Sequence, residues 1–365
     1  MRKRRLVRLL RKYKKENHEV DGLPKVGWIG HNALAAGGVF DVNSRSYRVF
    51  HLLGLLTAPM EHSFIAWAKQ RASRLPKIKL GIGDDCALIG ADSVVSSQSD
   101  LVITTDSLCD GTHFILTECG AQAAGRKLIA VNLSDLASMA ATPISVFLSL
   151  CLPKANAGDL AAEVFEGVYE LAERYRVSIA GGDTNVWDGP LVIHMTAVGK
   201  VPIGEGWLRS GASAGDAIVV SGRLGGSILG KHLSFEPRLE LAAELLRLGV
   251  VAAATDISDG LGIDLLNMSV ASKCGAEVRL DQVPISDAAK EYAQRSGRSS
   301  LEHALGDGED FELLMAVPQA KLARLPAEIG GVPLTQIGTF VSRTGLWSKD
   351  KTGVKQLAPR GYVHG

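Results

Sequence analysis

The feature that most constrains this chain is a series of short acidic turns set among apolar stretches. They are Gly81-Ile82-Gly83-Asp84-Asp85, Thr104-Thr105-Asp106, Asn132-Leu133-Ser134-Asp135, Gly181-Gly182-Asp183, Asp256-Ile257-Ser258-Asp259-Gly260 and Gly308-Glu309-Asp310. Several follow strand-like runs such as Leu101-Val102-Ile103-Thr104-Thr105, so their carboxylates are expected at strand ends, where open sheets place ligands. Taken singly, each has an ordinary structural reading, because Asp and Ser cap helices and Gly-Asp pairs form turns. Taken together they imply a cation, since unpaired carboxylates brought close repel one another. Magnesium takes oxygen ligands, usually one or two carboxylates per ion completed by water and phosphate. The pattern points to a metal–phosphate site.

Helical and strand periods alternate along the chain. Ser63 is a candidate N-cap for a helix carrying Phe64, Ile65, Trp67 and Ala68 on one face. Further helices are expected over 121–141, over 158–176 and near 237–249 and 260–272, and strands over 101–105, 191–198, 217–220 and 311–317. Residues 200–204 have the look of a linker, and no internal repeat is present. The mixture predicts two α/β-type domains, 60–202 and 203–365, of a size typical for single cores.

Charge divides the chain differently. Residues 1–59 hold 12 Lys/Arg against 4 Asp/Glu and carry +8, whereas the rest hold 28 against 35 and carry −7. The basic stretch has no sustained period. It is expected to stand outside the fold, as a segment upstream of a true start at Met60, with a basic arm for RNA or membrane as the other reading. The overall charge of +1 provides no whole-protein field for nucleic acid or a membrane surface, and the acidic body suits metal cations. Five cysteines (Cys86, Cys109, Cys119, Cys151 and Cys274) form no C-x-x-C pair, as in a reduced, cytoplasmic protein. No apolar run approaches the ~20 residues of a membrane helix.

Two motifs are decoys. Gly225-Gly226-Ser227-Ile228-Leu229-Gly230-Lys231-His232 nearly spells a phosphate-binding loop but puts His232 where the metal-binding hydroxyl belongs, and reads as a glycine-rich turn. Gly81-Ile82-Gly83 is followed by two aspartates, which would repel a pyrophosphate unless a metal intervened. His113, in the loop after the Asp106 strand, either faces the same site or is a solvated loop residue.

In order, Gly-Ile-Gly-Asp-Asp, Thr-Thr-Asp, Gly-Thr-His-Phe, Asn-Leu-Ser-Asp-Leu-Ala, Gly-Gly-Asp-Thr, Leu-Arg-Ser-Gly-Ala, Asp-Ile-Ser-Asp-Gly-Leu and Gly-Glu-Asp-Phe-Glu-Leu resemble the thiamine-monophosphate kinase family over residues 64–362. The resemblance implies the aminoimidazole ribonucleotide synthetase-like fold, two α/β (α+β) domains with N-terminal sheets pairing across a homodimer. It implies ATP-dependent phosphorylation of thiamine monophosphate with several Mg²⁺ ions. By motif position the metal ligands would be Asp85, Thr104, Thr105, Asp106, Asp135, Asp183, Asp256 and Asp259. ATP would meet Phe165, Gly182, Asp183, Arg209 and Ser258, with Arg209 assisting transfer. Thiamine monophosphate would meet His113, Glu309 and Tyr362. Phe165 stands where the family can carry Tyr, and its register with Val168 and Ala172 fits core packing equally well. Selenide water dikinase and the hydrogenase-maturation protein share the fold. The first should carry a reactive Cys in an N-terminal Gly-rich segment, the second a C-terminal Cys. Neither feature is seen here.

Overall fold

The computed structural model describes residues 60–72 and 98–362. The readings made for residues 1–59 and for the Asp84-Asp85 turn lie outside these described residues. A first helix, α1 (Met60–Ala72), already includes Ser63, so this serine stands inside the helix and does not cap it.

The first sheet is built from β1 (Ser99–Cys109), β2 (Thr142–Pro153), β3 (Ser178–Trp187) and β4 (Val192–Pro202), in the order β1-β4-β2-β3. Only the β2–β3 pair is parallel. Strand alternation divides its two faces. Val102, Thr104, Asp106 and Leu108 of β1 lie opposite Gly199, Ala197, Met195 and Ile193 of β4 on the inner face. There α2 (Leu116–Ser138) and α3 (Ala157–Arg174) cover the apolar side chains. The outer face shows Leu101 and Ile103, 44% and 64% exposed. The expected linker at 200–204 is partly strand, because β4 keeps pairing with β1 as far as Pro202.

Helix α2 begins earlier than its apolar period suggests, but Gly120 (φ 77°, ψ 164°) interrupts it, so the regular segment starts at residue 121. Leu128, Ile129, Ala130 and Leu133 are fully buried, as in a helix enclosed on all sides. Three polar residues, Lys127, Asn132 and Ser134, are buried with them.

The second sheet follows. Its strands are β5 (Ala217–Ser221), β6 (Ala253–Asp256), β7 (Gly275–Val278), β8 (Leu313–Val317), β9 (Glu328–Ile329), β10 (Val332–Val341), β11 (Gly345–Asp350) and β12 (Gly353–Gln356). They run in the order β12-β11-β7-β10-β5-β8-β6, with β9 added to β10. Between them lie α4 (Lys231–Ser234), α5 (Leu239–Leu248), α6 (Leu261–Ala271), α7 (Asp287–Ser296) and α8 (Ser300–Gly306). Both sheet faces are covered. Ile218 and Val220 join one core with Leu261 and Leu265 of α6, while Ala217 and Val219 join another with Leu241 and Leu245 of α5. A strand buried on both sides reads as a continuous apolar run, which is why Ala217-Ile218-Val219-Val220 was legible. The strand expected from Phe311 starts only at Leu313, because Glu309 (φ 52°) and Phe311 (φ 49°) hold the left-handed conformation.

Candidate active site

At the ends of β1 and β6 a cleft of about 360 Å³ opens. Asp106, Thr112 and His113 line one side, Val131 and Asp135 of α2 its floor, and Ser258, Asp259, Glu309, Phe311 and Tyr362 the other. Residues 200 positions apart in the sequence thereby face one space.

The acidic end is built by three elements. Thr104 and Asp106 share the inner face of β1, and the Thr104 hydroxyl donates to Asp135 Oδ2. Burial, then the neighbouring Asp135 charge, push the Asp106 carboxyl up to about 7. Burial also raises Asp135, although Thr104 and the Arg209 charge oppose it. Asp256, the last residue of β6, accepts the Ser134 hydroxyl at 2.6 Å and is pushed up to about 8 by burial and then by Asp135. Arg209 stands beside this group, its Nε donating to Thr255 Oγ1 at 3.2 Å.

This donor set fits a hard divalent cation. Asp106 Oδ2 is buried without any hydrogen-bond partner, next to a second carboxylate that repels it. No three His, Cys, Asp or Glu side chains among the described residues form a metal cage by themselves.

The other candidates fall elsewhere. Thr105 points to the outer face of the sheet, where its hydroxyl meets His194 Nε2 and Thr196 Oγ1, both at 3.1 Å. Asp183 pairs in register with Ser149 at the exposed end of β3 and accepts from Asn185 at 2.6 Å. It lines a second cleft, of about 160 Å³, together with Gly182 and Phe165. A Cβ at Gly182 would fall 1.7 Å from the Leu148 carbonyl oxygen, so only glycine lets β3 approach β2 here. Phe165 is 2% exposed and meets Trp67 and Phe64 edge-on, at 5.2 and 6.1 Å. The nucleotide residues inferred from the motifs thus form two groups: Phe165, Gly182 and Asp183 at the smaller cleft, and Arg209 and Ser258 with the acidic end of the larger.

In the same cleft, His113 Nδ1 accepts the Cys109 backbone N–H at 3.1 Å. A backbone N–H can only donate, so the neutral ring carries its proton on Nε2. Glu309 donates its own N–H to Ser258 O at 2.7 Å, which steadies the left-handed backbone. Its Oε1 accepts from Lys127 Nζ at 2.6 Å. Lys127 escaped the sequence reading because a lysine on a helix is usually solvated. The available signal was its place eight residues before Asp135, on the same helix face.

The glycine-rich decoy is already filled by the protein. Gly225 N–H donates to both oxygens of Asp310, at 2.9 and 3.0 Å, and Gly226 N–H to Asp307 at 2.9 Å. Lys231 pairs with Glu312 at 2.9 Å. These carboxylates occupy the place a phosphate would take, so the loop is structural.

The fold is that of the AIR synthase related proteins. Models of the N-terminal and C-terminal domains of that class match residues 83–201 and 203–349. The thiamine-monophosphate kinase of Rhodopirellula baltica is 47% identical over 310 residues, 84% of this chain and 98% of the relative. That of Escherichia coli is 37% identical over 77% of this chain and 90% of its own. The solved thiamine-monophosphate kinase from Stenotrophomonas maltophilia K279a superposes with a TM-score of 0.68 at 33% identity, covering 78% of this chain and 95% of that one. AaThiL complexed with AMPPCP and TMP gives 0.66 at 26% identity, covering 74% and 89%. The chain belongs to the thiamine-monophosphate kinase family. Escherichia coli HypE, a hydrogenase maturation protein, shares the fold at 22% identity and a TM-score of 0.66.

Proposed function

We propose that this protein transfers the γ-phosphoryl group of ATP directly to thiamine monophosphate, giving thiamine diphosphate, with several Mg²⁺ ions at the acidic end of the cleft. The observation that carries the reading is the cleft itself, which joins a repelling carboxylate group containing an unpartnered Asp106 oxygen to the His113–Glu309 end. Asp106 and Asp135, with Thr104, Asp256, Asp259 and the Asp85 turn, would hold the metals; Thr105 faces outward and Asp183 lies at the smaller cleft, so neither joins this group. Bound there, Mg²⁺ neutralises phosphate charge and draws two anions together. Arg209 and Ser258 add a cation and a hydroxyl for the nucleotide, and Phe165 with Gly182 borders its second cleft. His113 Nε2–H donates to the acceptor, Glu309 accepts from it, and Tyr362 closes the same end.

The acceptor phosphate is ionised near neutral pH, so no strong general base is required. Positioning and charge neutralisation are the protein's task. No residue is assigned as a covalent carrier, so configuration at phosphorus inverts once. The test is incubation with ATP, Mg²⁺ and thiamine monophosphate, with thiamine as control acceptor. Thiamine diphosphate should form only from the monophosphate; its absence, or net retention with chiral labelled γ-phosphate, overturns the corresponding part of the reading.

Two organisational readings go with it. The outer face of the first sheet, with Leu101, Ile103 and Thr105, pairs with a second copy, so light scattering should give a dimer and Ile103→Lys should weaken it. Residues 60–202 and 203–365 form the two catalytic domains and residues 1–59 stand outside them. A chain beginning at Met60 should fold and turn over; an inactive one refutes the division. Among the described residues no helix is long and apolar enough to cross a membrane.

A further inference from the structure

We propose that Lys127 is the positioning residue of the acceptor end, locking the Glu309 carboxylate and the His113 loop into one rigid subsite; the inference rests on the acceptor reading above. Lysine is almost never fully buried unless paired, yet the Lys127 side chain has 0% exposure. Its Nζ donates to the His113 carbonyl at 2.7 Å and to Glu309 Oε1 at 2.6 Å. Those partners lie in loops 14 and 182 residues away. Both residues line the cleft, whereas Lys127 does not. It therefore acts through them and not on the ligand.

Other bonds fix what Lys127 leaves free. The Glu309 backbone is held by Ser258 O, and the His113 ring is held by Cys109 N–H. The His113 main chain is also held by its N–H bond to Cys109 O at 3.0 Å, so what remains is the Glu309 side-chain direction and the His113 carbonyl, and Lys127 ties these two together. With Oε1 taken, Oε2 has no partner among the described residues and is the atom offered to a ligand N–H or cationic ring. Because Lys127, Val131 and Asp135 are spaced i, i+4, i+8 on α2, one rigid element sets the acceptor subsite relative to the metal carboxylates.

The test measures KM for each substrate, and thiamine monophosphate binding by calorimetry, in wild type, Lys127→Met, Glu309→Gln and the double variant. Lys127→Met should raise KM and Kd for thiamine monophosphate at least tenfold and leave KM for ATP within about threefold. The double variant should bind within about twofold of Glu309→Gln alone, since both changes break one unit. Equal rises in both KM values, additive losses, or unaltered binding would overturn the proposal. If Lys127→Met does not fold, hydrogen exchange in Glu309→Gln decides. The Thr112 and His113 amides, bonded to Cys109 O at 3.1 and 3.0 Å, should exchange faster, and unchanged exchange refutes the link. A wild type that neither binds nor phosphorylates thiamine monophosphate removes the acceptor reading and this inference together. A wild type that does, beside a normally binding lysine variant, removes the inference alone.

Discussion

Around the glycine-rich loop, Asp307, Asp310 and Glu312 are consumed by the fold, whereas at the ends of β1 and β6, Asp106, Asp135 and Asp256 are not. Glu312 is as buried as Asp256. It nevertheless accepts from Ser221 and from both arms of Arg238, at 2.7, 2.7 and 2.6 Å, and pairs with Lys231. Burial pushes its carboxyl up, but these hydrogen bonds and charges outweigh it and hold it below the usual range. Asp256 has one serine hydroxyl and a repelling neighbour, and ends high. A carboxylate at similar depth is thus either a structural anion or a group left with little but repulsion, and its partners decide which.

The largest expected effect breaks the structural side of this contrast. Glu312→Ala leaves Arg238 and Lys231 without their buried partner and should cost about 3–5 kcal/mol of stability in urea unfolding. Loss below 1 kcal/mol would make the two regions alike. On the other side, Asp106→Asn or Asp135→Asn should lower turnover more than tenfold, about 1.4 kcal/mol of transition-state stabilisation, and leave the fold at least as stable without metal. Wild-type rates across Mg²⁺ concentrations in both variants would refute the assignment.

pH sharpens the comparison with a smaller effect. Asp106, Asp256, Asp264 and, in the loop region, Asp310 have folded pKa values raised to about 7, 8, 7 and 7, above the ordinary value of 3.8. Burial is the first cause in each. Their stabilising contribution is complete below the unfolded pKa and is lost as pH rises through the folded values. Thermal unfolding of the metal-free protein should therefore weaken between pH 4 and 8, and Mg²⁺ or Asp106→Asn should flatten the slope. Glu312, lowered, works the other way, contributing above its unfolded pKa and losing that contribution as pH falls through the folded one. A metal-free stability that rises from pH 6 to 8 would contradict the assignment. The smallest effect is Ser227→Ala, which removes the 2.7 Å bond to Gly308 O and should cost about 1 kcal/mol with turnover within twofold.

Much of this architecture was visible in the amino-acid pattern for identifiable reasons. Periodicity marked β1, β4, β5 and β8 and the helices α1, α2, α3, α5 and α6, with the doubly buried β5 standing out as an uninterrupted apolar run, whereas β2, β3, β6, β7, β9 to β12, α7 and α8 were not read. Of the acidic turns, Asp106, Asp135, Asp259 and Glu309 line the larger cleft, whereas Asp183 lines the smaller one and Asp310 is taken by the glycine-rich loop. What stayed hidden depends on contacts across the chain. Nothing local says that Thr104 and Asp106 face α2 while Thr105 faces outward, since this depends on which face the helices cover. Nor does the Gly225–Gly230 run disclose that Asp307 and Asp310, some 80 residues on, fill its N–H groups. The partners of Lys127 are hidden for the same reason, being the His113 carbonyl and a glutamate from another loop, and only its spacing from Asp135 is local.

The enclosure of α2 has a consequence for how the protein tolerates change in length. From Lys127 to Asp135 the helix rises about 12 Å, at roughly 1.5 Å per residue, with each step turning about 100°. Inserting or deleting one residue between them would swing Lys127 out of line with Asp135 by more than a quarter turn. A helix walled in on all sides has no solvent face to absorb the shift. The segment from 127 to 135 is therefore a fixed gauge between the two halves of the cleft, where its length is held as tightly as its chemistry.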